Sequence, residues 1–228
     1  MNRESQLIDH TLLSPTATAD QVQELCDEAV EHDFWSVCIS PCRVGLAADH
    51  LRDTDVRVCT VIGFPSGAHV STVKAAETRQ VVADGADEVD MVINIGAVKD
   101  GDWEQVRQDI AAVVDAAGEG VLVKVILETC LLGDEEIVQA CQCARDAGAH
   151  FVKTSTGFST GGASVHAVQL MRATVGESMG VKASGGIRSR ETFETMVAAG
   201  ASRIGASAGV ALLGGCLLYT SPSPRDAT

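Results

Sequence analysis

Eight short apolar runs, rich in β-branched residues, recur along the chain at 7–12, 36–40, 57–64, 88–94, 121–128, 150–156, 180–186 and 203–207. Their starts lie about 20 to 33 residues apart, the length of one βα unit. Between them, segments 20–32, 70–84, 102–117, 134–147 and 189–199 carry helical periodicity. Several of these open on an acid or Ser/Thr and close on Gly, which is capping chemistry at both ends. Continuously apolar strands alternating with helices indicate a parallel sheet covered on its outer face. A weak repeat supports this: DGADEVDMV at 84–92, DAGAHFVKT at 146–154 and AAGASRIGA at 198–206 each join a helix end, a glycine and a buried strand. Eight such units predict an α/β fold, a single (β/α)8 TIM barrel over residues 1–215. An open doubly wound sheet is the alternative.

Residues 216–228, CLLYTSPSPRDAT, continue no helix or strand pattern and follow the Gly214–Gly215 pair. They are expected to be a non-native scar or a disordered tail, and are set aside from the fold. The 228-residue chain has 31 acids against 17 bases, a net charge of −14. Arg225 and Asp226 cancel, so the expected barrel carries all of it. That balance excludes sequence-independent nucleic-acid binding or an anionic membrane surface as the main task, since both need basic patches. No secretory signal or membrane-length apolar run is seen, so a cytoplasmic location is expected.

Eight cysteines (Cys26, Cys38, Cys42, Cys59, Cys130, Cys141, Cys143 and Cys216) are expected to be reduced thiols rather than a disulfide framework. Cys141 and Cys143 fall within one helical segment, where residues two apart point in different directions. No zinc-finger spacing occurs, and no metal or other cofactor is expected.

Lysine is scarce, with five in the chain, and its placement is unusual. Lys74 and Lys99 fit solvated helix faces. Lys124 in VLVKVILE, Lys153 in HFVKTST and Lys182 in GVKASGG interrupt predicted strands. Each could pair with a buried acid, or hold an amine in a low-dielectric pocket where its neutral, nucleophilic form is favoured. A second ammonium ~5 Å away, at an effective dielectric of ~20, costs roughly 3 kcal/mol, about two pKa units. Lys153 and Lys182, on neighbouring strands, are the pair placed to meet. Asp9, Asp90 and Glu128 also lie on strands. A structural balancing of the lysines is favoured for Glu128, and Asp90 is better placed for chemistry.

A second constellation is rich in glycine and hydroxyls. GGIR at 185–188 leaves the seventh strand, GAS at 205–207 closes the eighth, and STGFSTGG at 155–162 follows the sixth. In a barrel the loops after strands seven and eight are a frequent phosphate site, because small residues let backbone N–H groups approach an anion.

FVKTSTGF (151–158), VKASGGIR (181–188), EVDMVINIGA (88–97), IDHTLL (8–13), VCISP (37–41) and RIGAS (203–207) together resemble the deoxyribose-phosphate aldolase family, in matching order from about residue 7 to 213. The resemblance implies a class I aldolase that cleaves 2-deoxy-D-ribose 5-phosphate to acetaldehyde and D-glyceraldehyde 3-phosphate. It implies Lys153 as the Schiff-base nucleophile, Lys182 as the lysine that perturbs it, and Asp90 as a proton relay acting through water. Gly157, Gly185, Gly186, Arg188, Gly205 and Ser207 fall in the family's phosphate-binding segments, and Cys38 is expected to line the pocket. Ala208 stands where some members carry a second serine. A small-molecule sugar phosphate is the implied partner, and a homodimer the implied assembly. Another Schiff-base barrel, a metal-dependent aldolase and a barrel that binds sugar phosphates without turnover are the alternatives. The scattered histidines, with His10 and His150 at strands, offer little to a metal.

Overall fold

A computed structural model describes residues 4–213. The 216–228 tail, with Cys216 and Tyr219, lies outside the described residues. Strands β1 (Ile8–Leu12), β2 (Ser36–Ile39), β3 (Arg57–Ile62), β4 (Glu88–Val92), β5 (Leu122–Ile126), β6 (Phe151–Lys153), β7 (Gly180–Ser184) and β8 (Arg203–Ala206) form a closed parallel barrel in sequence order. The β1–β8 seam pairs Ile8 with Ile204 and Asp9 with Gly205. The surrounding helices are α1 (Ala19–Glu31), α2 (Val44–Leu51), α3 (Ser71–Ala83), α4 (Ile95–Lys99), α5 (Trp103–Ala117), α6 (Asp134–Asp146), α7 (Val165–Val175), α8 (Arg190–Ala198) and α9 (Gly209–Leu213). The expected (β/α)8 barrel is what forms, and the open sheet is not.

Several predicted strands overrun their C-terminal ends: 121–128 against β5 ending at Ile126, and 150–156 against β6 ending at Lys153. Burial continues past the regular ladder, so the apolar signal continues too. Leu127 N still donates to Lys153 O at 2.9 Å, and Thr154 N to Lys182 O at 3.0 Å. These departing segments form the mouth of the barrel.

The repeat seen in the sequence is a helix stop. At the ends of α3, α6 and α8, Gly85, Gly148 and Gly200 take left-handed φ values of 107°, 83° and 113°. The next residue then donates five positions back, as in Ala86 N to Val81 O at 3.0 Å and Ala201 N to Met196 O at 3.0 Å. This satisfies carbonyls the helix leaves open and turns the chain into the following strand. N-termini are closed by side chains: Thr18 with Gln21 at α1 and Ser189 with Thr192 at α8 form reciprocal caps.

Strand residues alternate between two environments. Val89, Met91, Val123, Val125, Val152, Val181 and Ile204 pack outward against the helices in one extensive core. The opposite face carries Asp9, Glu88, Asp90, Lys124, Lys153, Lys182 and Arg203, all buried. A small apolar group of Cys38, Cys59 and Val61 shares that interior.

Lys74 corrects one expectation. It is fully buried, not on a solvated face, and its Nζ lies 2.5 Å from Asp109 Oδ2 on α5 and 2.8 Å from Val92 O. Ser71 Oγ donates to the other Asp109 oxygen at 2.8 Å. The lysine and its acid come from different helices, so neither pattern alone revealed the pair. Lys99 is half-exposed beside Glu136, as expected. Removing one partner of a buried pair strands the other charge in the interior, at about 3–5 kcal/mol. Asp109→Ala is therefore expected to lower unfolding free energy by about that amount. Urea denaturation showing less than ~1 kcal/mol would contradict a structural role for the pair.

Candidate active site

The strand register brings the predicted lysines together. Lys153 pairs with Lys182 across β6 and β7, and Asp90 pairs with Lys124 across β4 and β5. Inside the barrel, Asp90 is the hub. Its Oδ2 accepts from Lys153 Nζ at 2.8 Å and Lys182 Nζ at 2.7 Å, and its Oδ1 from Lys124 Nζ at 2.8 Å. Lys182 also lies 2.5 Å from Asp9 Oδ2, and Lys124 lies 2.5 Å from Glu88 Oε2. Each strand lysine thus has a buried acid beside it, yet their surroundings differ. Lys124 and Lys182 are sealed, whereas Lys153 opens onto a cavity of about 200 Å³ at the C-terminal mouth of the barrel.

Gly205 gives Lys182 its space. A Cβ there would stand 3.0 Å from Lys182 Cε and 3.1 Å from Ser184 Cβ, tight enough to press on the lysine side chain.

Burial alone would raise the Asp90 carboxyl, but the ammonium groups of Lys124, Lys153 and Lys182 outweigh it and hold Asp90 well below the usual carboxylate range. Asp9 is depressed in the same way, burial being overcome by Lys182, Arg203 and Lys124. Burial acts to lower Lys182 and Lys124, yet their carboxylate neighbours raise both above the ordinary lysine value. These two lysines are therefore fixed cations. The proximity that the sequence placed between two ammonium groups is real, with a carboxylate standing between them.

The cavity is lined by all six residues expected to bind the phosphate: Gly157, Gly185, Gly186, Arg188, Gly205 and Ser207. Gly185 and Gly186 both take positive φ, 85° and 81°, a backbone form that residues with side chains rarely adopt. Arg188 is exposed at the rim. Thr11, Ser14, Thr156, Phe158 and Ser184 also line the cavity. Thr11, Thr156, Phe158 and Ser184 lie within the recognised motifs and Ser14 directly after one, but no role had been read for them.

Two expectations fail here. Glu128 balances no lysine: it adopts a left-handed backbone (φ 57°) and its carboxylate accepts from Thr156 N at 3.3 Å and from the Thr156 hydroxyl. It leaves the ladder just after β5, and that turn aims it at the 154–158 loop. Cys38 does not line the cavity; it is fully buried behind it, packed with Cys59 and Val61. Its thiol is pulled down to about 7 by the hydrogen bond with Cys59, against burial and with help from Lys182. Arg203 was missed altogether. Its alternation with Gly205 on β8 was the available clue.

Two donor groups, Cys38/Cys59/Asp90 and Asp9/Cys59/Glu88, bring their atoms within 4.8 Å of one another. Lys124 Nζ already stands among them, 3.3 Å from Cys59 Sγ and 2.5 Å from Glu88. These donors are thus already engaged by an ammonium, which also lies 2.8 Å from Asp90 Oδ1.

The model of the DeoC/LacD family aldolases matches residues 5–215. The chain belongs to that family. It is 64% identical over 207 residues to deoxyribose-phosphate aldolase 1 of Cutibacterium acnes, covering 91% of this chain and 95% of the relative. It is 60% identical over 211 residues to the deoxyribose-phosphate aldolase of Enterococcus faecalis, covering 92% and 96%. Among solved structures, the deoxyribose phosphate aldolase of Aeropyrum pernix, described as a unique tetramer, superposes with a TM-score of 0.87 at 36% identity, covering 93% of this chain and 90% of that one.

The buried network dictates a pH dependence. Asp9 and Asp90 have folded pKa values depressed below their unfolded ones. Their contribution is complete above an unfolded pKa of about 3.9 and is lost as pH falls toward the folded values. Stability is expected to fall as the pH drops from about 4 toward the depressed folded values, and Asp9→Asn to flatten that slope in urea unfolding. Equal slopes in both chains would contradict the network.

Proposed function

We propose that this aldolase reversibly cleaves 2-deoxy-D-ribose 5-phosphate to acetaldehyde and D-glyceraldehyde 3-phosphate, with Lys153 as the Schiff-base lysine. The observation that carries the assignment is the unequal exposure of the ammonium groups. Lys153 reaches the cavity from beside Asp90, while Lys124 and Lys182 stay sealed behind it. The neutral Lys153 amine adds to the substrate aldehyde, and loss of water from the carbinolamine leaves an iminium. Breaking the adjacent carbon–carbon bond sends its electron pair into that iminium, giving an enamine, while the hydroxyl carbon departs as the aldehyde of glyceraldehyde phosphate. Protonation of the enamine carbon and hydrolysis release acetaldehyde and restore the amine. Asp90, in contact with Lys153 and Lys182, is the group that moves protons in these steps, and Lys182 is the fixed cation that opposes protonation of Lys153.

The phosphate is assigned to the Gly157, Gly185, Gly186, Gly205 and Ser207 end of the cavity, where close backbone approach is possible, with Arg188 at the rim. Phosphate capture is local, since the overall charge of −14 offers no attraction and charges beyond a Debye length of ~8 Å are screened. The proposed assembly is a homodimer and the proposed location is the cytoplasm. The latter is supported by free thiols at the described cysteines and by the absence, among described residues, of any helix long and apolar enough to cross a membrane.

Borohydride reduction with acetaldehyde is expected to leave an N-ethyl group on the peptide bearing Lys153 and to abolish activity. An unmodified Lys153, with full activity in Lys153→Ala, would end the Schiff-base reading. Arg188→Ala is expected to raise KM for the phosphorylated substrate roughly tenfold, with little change in kcat. An equal effect on unphosphorylated deoxyribose would remove Arg188 from the phosphate site.

A further inference from the structure

We propose that Glu88 and Arg203, which form the floor beneath Lys153, are positioning residues that set the interior charge balance and so determine that Lys153 is the ammonium that gives up its proton. The inference rests on the Schiff-base reading above and deepens it.

Every strand sends an ionisable side chain into the barrel: Asp9, Cys38, Cys59, Glu88 with Asp90, Lys124, Lys153, Lys182 and Arg203, in strand order. All are buried, so solvent does little to screen them. Among these described residues, four cations face three carboxylates. With every group ionised and both thiols neutral, the interior carries one uncompensated positive charge.

The contacts decide where that excess is relieved. Lys124 touches Glu88 and Asp90, at 2.5 and 2.8 Å. Lys182 touches Asp9 and Asp90, at 2.5 and 2.7 Å. Lys153 touches Asp90 alone, at 2.8 Å, and shares it with both of the others. A proton leaving Lys153 therefore forfeits one shared carboxylate contact rather than two.

Arg203 remains charged, because a guanidinium does not deprotonate in proteins. Its Nη1 lies 2.9 Å from Asp9 Oδ1 and 3.4 Å from Glu88 Oε2. Its guanidinium carbon is 4.4 Å from the Trp35 ring centroid and 5.3 Å from that of Phe151. Trp35 Nε1 donates to Glu88 Oε1 at 2.6 Å, fixing the acid from the other side. Gly180 makes room for this floor, since a Cβ there would lie 2.0 Å from the Phe151 ring. Neither Glu88 nor Arg203 lines the catalytic cavity. Both act through the carboxylates and lysines above them. Cys38, with its thiol held down to about 7, is the other group able to relieve the excess, but it too stays behind the cavity.

The test uses a Cys38→Ala background, so that this thiol takes no share, and compares Arg203→Met, Glu88→Gln and the double variant. Two profiles are recorded: the pH dependence of Lys153 acetylation by acetic anhydride, read by peptide mass, and the acid limb of kcat/KM. Removing the arginine cation is expected to move both to higher pH by about one unit, and removing the Glu88 anion to lower pH by a similar amount. The double variant is expected to return to the parent profile. Shifts of the same sign, no shift, or no restoration in the double variant would overturn the proposal, since a merely structural floor would not give opposite signs. If Arg203→Met does not fold, the acid shift of Glu88→Gln decides alone. Absence of a borohydride adduct on Lys153 in the parent would instead overturn the aldolase reading, while the acetylation profile would still report on the charge balance.

Discussion

Asp90, itself fully buried, holds three ammonium groups within 2.8 Å, and much of the barrel interior is arranged around that fact. Isolated charges are too costly to bury, so each must be paired and its partners held in turn. Asp9 and Glu88 supply the further carboxylates, Arg203 ties them together, and the rings of Trp35 and Phe151 enclose the arginine. Apolar packing is displaced to the outer face of the strands, where the helices provide it. The result is a polar interior in an otherwise ordinary (β/α)8 barrel. Such a network contributes less to stability than hydrophobic packing of the same volume would. Under the proposed mechanism, its use lies in holding several protonation states fixed while one remains able to change.

That one is at the boundary. Lys153 ends β6, the shortest strand, where the ladder gives way to the loop that carries Thr156 and Gly157. Glu128 anchors this loop through Thr156, so the lysine and the substrate-facing residues share one rigid attachment. Opposite, glycines at 185, 186 and 205 serve two ends at once. They allow backbone approach at the rim, and Gly205 leaves the space that Lys182 fills below. The chemistry and the proposed anion site are therefore built by the same strand ends.

The barrel was legible in the sequence because its units repeat. Apolar runs, helix caps and stop glycines such as Gly85 and Gly200 are local signals, and local chemistry decides them. Lys153, Lys182 and Asp90 were legible because charge interrupts an apolar strand. Lys74 was misread, since its burial depends on Asp109, which lies on a different helix. Glu128 was misassigned because a left-handed backbone redirects its side chain, and residue type does not report that rotation. Arg203 opens the RIGAS segment but was given no role there, because its contacts are with Asp9 and Glu88 from distant parts of the chain. What the sequence withheld was pairing across elements, which exists only once the barrel closes.

The proposed charge balance implies an order of proton loss among neighbouring lysines: Lys153 before Lys124 and Lys182. With five lysines in the chain, side-chain nitrogen NMR on lysine-labelled protein, assigned by single substitutions, can follow each group through an alkaline titration. The Lys153 signal is expected to change first, while Lys124 and Lys182 retain the ammonium form as the pH continues to rise. Lys182 losing its proton before Lys153, or the two titrating together, would contradict it.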